Sequence, residues 1–170
     1  MKRELDSKQL KKIGFLVCAG AFLFVIGSLA IEKLSQYYGL GIIVTKSLDK
    51  SYFVYSKNWE AKIAKGEIVY FNLPIETLYF KKNSKFGKIV MCEAGDTLST
   101  KGLEYYCNGK FLGMARTTDK EGRAVSPFEY NGLIPKDNYF VMGTHERSFD
   151  SRYWGFVNKT HIKGVAIWSM

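Results

Sequence analysis

The sequence predicts a mainly β, antiparallel domain behind a single N-terminal apolar helix. Three observations carry this. Residues 13–31, IGFLVCAGAFLFVIGSLAI, contain no charged residue. Beyond residue 40 the apolar residues fall in short alternating runs punctuated by turn signals, the pattern of antiparallel strands. Helical periodicity is scarce in that region, apart from a turn within 57–65.

The apolar segment comes first. Its 19 residues span about 28 Å as a helix, close to the roughly 30 Å hydrocarbon core of a bilayer. Lys2, Arg3, Lys8, Lys11 and Lys12 precede it, and only Lys33 and Lys46 follow closely. This excess predicts a cytoplasmic N-terminus (residues 1–12), a transmembrane anchor (13–31), a juxtamembrane connector (32–40) and an exported domain (41–170). The rival reading is a leader cleaved at Ser28-Leu29-Ala30. The run exceeds the 7–15 residues usual for a leader's apolar region, which favours a retained anchor.

The strands follow in order: GIIVTKS (41–47), SYFVYS (51–56), GEIVYFNLP (66–74), GKIVMCEAGD (87–96), YYCNGKFLGMA (105–115), NYFVMGT (138–144) and HIKGVAIWSM (161–170). Pro74 ends the third, and the Asn-Gly pair in the fifth marks a tight hairpin turn. TTDKEGRAVSPFEYNG (117–132) reads as a loop-rich excursion. A chain of 170 residues suits one domain with a real core.

The net charge of +9 raises a polyanion as a partner. The basic residues are spread along the chain, however, with no aromatic interleaving, finger spacing or basic recognition helix. No nucleic-acid partner is expected. Of three cysteines, Cys18 lies in the apolar segment. Cys92 and Cys107 flank what reads as a hairpin, and cross-strand pairing there allows a disulfide. Two buried free thiols are the alternative. No metal site or other cofactor is expected, since only His145 and His161 can join the cysteines, without ligand spacing.

A Ser-His-Asp triad would need His145 or His161, and no G-x-S-x-G elbow accompanies them. A serine paired with a lysine is the better candidate. Such a lysine must be neutral, so it belongs on an apolar strand where burial lowers its pKa. Lys88, followed by Ile89, Val90, Met91 and Cys92, fits. Lys81, Lys82 and Lys85 read as solvated side chains, and local pattern alone favours that reading for Lys88 too. Ser47 stands at a strand-to-loop junction, where Oγ is exposed and its own N–H can face a carbonyl. Thr45 offers a second hydroxyl donor. By itself Ser47 reads as an ordinary turn serine.

Three motifs, in order, shift that balance. SLDK (47–50) resembles the Ser-Met-x-Pro box of the type I signal peptidase superfamily. KIVMCEAGD (88–96) is similar to that family's Lys-Arg-x-x-Gly-x-x-Gly-Asp strand. SFDSRYWG (148–155) matches its Ser-x-Asp-Ser-Arg box. YYCNGKFLG, DKEGRAVS and DSRYWGFV look most like the conjugative-transfer, TraF-type branch. Leu48 and Lys50 replace the family Met and Pro. Asp49 and Ser51 depart from the Ser-x-Pro-x-Gly of pilin-maturing relatives. MGTHER replaces the Gly-Asp-Asn-Arg-Asp-Asn of housekeeping enzymes.

The resemblance implies a β peptidase fold and a serine-type endopeptidase of the bacterial inner membrane with a periplasmic catalytic domain. Ser47 would be nucleophile, Lys88 general base, and the Ser47 amide and Thr45 hydroxyl the oxyanion donors. Ser148 would orient the Lys88 amine, supported by an Asp150–Arg152 ion pair. The expected substrate is a pilin precursor for conjugation or type IV secretion, cut and in some relatives closed into a ring. A general signal peptidase acting on exported proteins is the alternative, and an inactive membrane-anchored scaffold of the secretion machine is a third. The lipid bilayer and conjugation-machinery proteins are the implied partners.

Overall fold

The computed structural model describes residues 6–59 and 63–170, so Lys2, Arg3 and the middle of the expected 57–65 turn lie outside the described residues. The chain divides into two compact units, Met1–Tyr38 and Gly39–Met170.

The first unit is α1, Ser7–Tyr37, with no buried side chain. Its 31 residues run about 46 Å. They contain the whole apolar segment and an apolar stretch long enough to cross a membrane by length and composition. Residues 32–37, read from sequence as connector, continue the helix, since EKLSQY contains no breaker before Gly39.

The second unit holds two antiparallel sheets. The larger is built from β1 (Tyr38–Ile42), β2 (Tyr52–Ser56), β3 (Ile68–Asn72), β4 (Lys85–Cys92), β9 (Asn138–Met142), β10 (Val157–Asn158) and β11 (Ile162–Ser169), in the order β1-β2-β11-β3-β4-β9-β10. The smaller has the order β7-β6-β5-β8, from β5 (Thr97–Lys101), β6 (Glu104–Cys107), β7 (Lys110–Met114) and β8 (Gly132–Leu133). A single helical turn, α2 (Ser151–Trp154), follows β9. The first strand begins at Tyr38 and ends at Ile42, so Thr45 and Ser47 stand beyond it in the loop.

Period-two alternation sets β4. Lys88, Val90 and Cys92 are buried while Ile89 and Met91 are half-buried, so Lys88 lies on the core face of its strand. Val69 of β3 is its cross-strand partner. Val69, Phe71, Val90, Val141, Trp154 and Val157 form the core of the larger sheet. Leu98, Tyr105, Ile134 and Phe140 pack a second core with the cysteines. The Asn108-Gly109 turn between β6 and β7 has φ of 49° and 79°, the left-handed pair a type I′ hairpin requires.

Cys92 and Cys107 are joined in a disulfide, with Cα atoms 5.8 Å apart. The hairpin reading of this region is corrected. Cys92 ends β4 in the larger sheet, and Cys107 ends β6, which pairs with β5 in the smaller one. TLSTK, which sequence left inside the hairpin loop, forms the intervening strand. The bond therefore ties sheet to sheet. Asp96 lies beside the two sulfurs. Sulfurs bonded to each other have no thiolate to offer, so this trio does not suit a metal. Replacing both cysteines with Ser is expected to cost about 3 kcal/mol for a closed loop of this length. Denaturant melts of the two proteins under non-reducing conditions would show it.

Candidate active site

Lys88 is the first unusual feature. A lysine that is 2% exposed needs strong compensation to remain charged. Its Nζ donates to Ser148 Oγ at 2.9 Å. The ring of Phe86 lies 5.7 Å from the same nitrogen. Burial lowers its pKa from 10.5 to about 8. The nearby Asp150 carboxylate opposes that fall, and the Arg152 guanidinium adds to it. At neutral pH roughly one molecule in ten then carries a neutral amine.

Ser148 is itself buried and enters from the loop between β9 and α2. That loop is fixed from below. Asp150, with no exposed surface, accepts two parallel bonds from Arg152 Nε and Nη2, both at 2.8 Å. It also accepts from the Gly143 amide at 2.9 Å and the Arg152 amide at 3.3 Å. Asp150 is thus the N-cap of α2 as well as an ion-pair partner. Arg152 also donates from Nη2 to the carbonyl of Ser148 (3.2 Å) and from Nη1 to that of Met114 (2.6 Å). Each charge is buried, but each is fully answered.

Ser47 is half-buried in the loop after β1, and Thr45 is exposed. Ser47, Thr45 and Lys88 line two adjoining cavities. One, about 300 Å³, runs along Leu40–Val44, Phe53, Tyr70 and Gly87. The other, about 500 Å³, also takes in Ser148, Arg147 and Phe149. Lys88 Nζ is hydrogen-bonded to Ser148, and the two side chains of Ser47 and Lys88 are not bonded to each other. Among the described residues the Ser47 amide makes no backbone hydrogen bond, which leaves its N–H available to a ligand.

Sequence reasoning missed Gly143, the residue that lets these parts meet. A Cβ there would collide with the Ser148 side chain and with the Ser47 carbonyl oxygen. The next-but-one amide, His145 N–H, reaches that carbonyl at 3.5 Å. Gly143 thus brings the serine loop, Ser148 and Asp150 together at one point. The available signal was its place in MGTHER, directly after an apolar strand. His145 itself accepts from the Arg147 amide and is exposed. His161 sits in a one-turn 3-10 helix, Lys159–His161, outside both cavities.

A family model described as signal peptidase, peptidase S26 matches residues 10–170. The chain belongs to that family. Within the S26 signal peptidases it is 36% identical over 106 residues to a probable signal peptidase I-2 of Synechocystis sp., covering 60% of this chain and 45% of that one. It is 30% identical over 110 residues to signal peptidase I of Leptolyngbya laminosa, 61% of this chain and 50% of the other. It is also 39% identical over 49 residues to the conjugal transfer protein TraF of Agrobacterium fabrum, 29% of this chain and 27% of that protein. The chain thus spans about half the length, or less, of these curated relatives. The crystal structure of a signal peptidase I from Enterococcus faecalis V583 aligns with a TM-score of 0.41 and 24% identity, over 61% of this chain and 96% of that one.

Proposed function

We propose that this S26 chain is a membrane-anchored endopeptidase that uses Ser47 as nucleophile and Lys88 as general base on an exported precursor protein. One observation carries the reading. Lys88 is a buried amine, held by a serine hydroxyl rather than by a carboxylate, on the wall of the cleft that contains Ser47. A lysine in an ion pair would stay protonated, whereas this one is set to lose its proton near working pH.

The neutral amine donates one hydrogen to Ser148 and turns its lone pair toward Ser47. It takes the Ser47 Oγ proton as Oγ attacks the scissile carbonyl carbon. The Ser47 N–H and the Thr45 hydroxyl face the oxyanion. Collapse breaks the C–N bond, and the proton on Lys88 passes to the leaving amine. Water, activated by the same lysine, then releases the acyl group. If the substrate's own N-terminal amine replaces water, the product is a ring. In this reading α1 is the anchor, residues 1–12 are cytoplasmic, and the β unit lies on the periplasmic side of the bacterial inner membrane.

Two substrate readings rest on separate observations. The likeness to TraF and the MGTHER departure support a conjugative pilin precursor. The longer matches to signal peptidase I sequences support general removal of signal peptides. Mass spectrometry of the pilin with and without this protein, beside rescue of a host depleted of signal peptidase, separates them. Pilin processing without rescue supports the first. Rescue supports the second.

The titration gives a direct test of the base. The kcat/KM of the full-length protein in detergent is expected to rise with pH through an apparent pKa near 8, as Lys88 loses its proton. A profile flat from about pH 6 to 9.5 would remove Lys88 from the role of base.

A further inference from the structure

Beside the Ser47–Lys88 cleft lies a third cavity, of about 280 Å³. It shares Phe80, Lys120, Arg147 and Phe149 with that cleft, but only Phe80 with the groove along β1. The three spaces are therefore consecutive, with Ser47 in the middle.

Its floor is aromatic. Phe149 stacks on Tyr153 at 5.5 Å and on Phe80 at 5.7 Å, and meets the edge of Tyr79 at 5.1 Å. Its wall is the 117–125 loop, closed by the Thr118–Ala124 bridge. Asp119 organises that loop. It accepts from the Tyr79 hydroxyl at 2.8 Å, from Arg123 Nε at 2.6 Å, and from the amides of Glu121 and Arg123. The Arg123 guanidinium also lies over the Tyr79 ring at 5.3 Å.

The charges divide unevenly. Asp119 and Glu121 are both paired with Arg123, and Glu146 is paired with Arg116. Among the described residues, the Lys120 and Arg147 side chains make no salt bridge. These two cations stand where the cavity opens into the cleft. Each of these carboxylates is ion-paired, Arg123 serving two of them so that one negative charge is left over on the loop, while the two cations at the mouth have no ion-pair partner among the described residues.

We propose that this cavity is a substrate subsite for a large apolar or aromatic side chain with a carboxylate beside it. It would take the segment on the side of the scissile bond away from the β1 groove. The ring lies on Phe149 and Tyr153, where aromatic pairs gain beyond simple burial. The carboxylate meets Lys120 and Arg147. The inference rests on the reading that Ser47 marks the scissile carbonyl.

The test uses the full-length Ser47→Ala protein in detergent, so that binding is read without turnover. Three fluorescein-labelled peptides are compared by anisotropy, identical except for a Phe-Asp, Phe-Lys or Ala-Asp pair. The Phe-Asp peptide is expected to bind tightest. Adding Lys120→Glu and Arg147→Glu should reverse the preference between Phe-Asp and Phe-Lys, by about tenfold or more. Phe149→Ala should erase the advantage of Phe-Asp over Ala-Asp. With Ser47 present, moving the pair across the scissile bond should remove its effect on kcat/KM. Unchanged selectivity in the charge-reversed protein, or no measurable binding of any peptide, overturns the subsite. If the reversal appears but the wild-type protein cleaves nothing, the subsite stands and the Ser/Lys reading fails.

Discussion

Lys88→Arg is expected to abolish cleavage as completely as Lys88→Ala or Ser47→Ala, each by about 10³-fold or more. The arginine keeps the charge and the donor but cannot become a neutral base. It must also fit a planar fork into a site that is 2% exposed and shaped around one amine. Ser47→Ala removes only an Oγ at a half-buried loop position, so its melting curve should overlay that of the wild type. Single-turnover cleavage of a precursor by purified full-length variants measures the loss. Appreciable turnover by Lys88→Arg would mean that the buried amine is structural and that another group activates the nucleophile.

Asp150→Ala should destabilise the domain by about 3–5 kcal/mol, the cost of stranding a buried charge. Four donors lose their acceptor at once: Arg152 Nε and Nη2 and the amides of Gly143 and Arg152. Arg152 also holds the Ser148 carbonyl, so activity should fall with stability. Asp150→Asn keeps one acceptor oxygen and should cost less. Denaturant unfolding of the three proteins, followed by near-UV circular dichroism, gives the ranking. An Asp150→Ala protein as stable as the wild type would show that the buried Arg152 charge is compensated without this carboxylate.

These two predictions locate what could be read from the sequence. Lys88 was legible because strand alternation is local: a lysine two residues before Val90 and four before Cys92 shares their face. The cluster from Ser148 to Arg152 was legible because its partners are close in sequence and its spelling resembles a known box. Ser47 was not legible by pattern, since a serine after a strand is common, and the motif order alone singled it out. The disulfide's placement was misread for the same reason that β5 was overlooked. TLSTK has little apolar content, so the segment looked like a loop, and adjacency in sequence suggested pairing that the fold does not make. The cavity beside the cleft was invisible, because Tyr79 and Asp119 are 40 residues apart and only the fold joins them.

The burial of Lys88 also makes folding itself a proton-releasing event. Once unfolded, the lysine regains its ordinary affinity for a proton, and in the folded domain it holds that proton only up to about pH 8. Between about pH 8 and 10.5 the unfolded chain binds more protons, so native stability climbs with alkalinity. The stabilisation is complete above the unfolded value and is lost as pH falls toward the folded one. Below that window the folded state forgoes about 3 kcal/mol relative to a lysine in water. This sign is opposite to that of a lysine held in an ion pair. The disulfide between the sheets contributes stability within the same unit. Lys88→Met, which removes the buried amine, is expected to make the domain's stability insensitive to pH across that window.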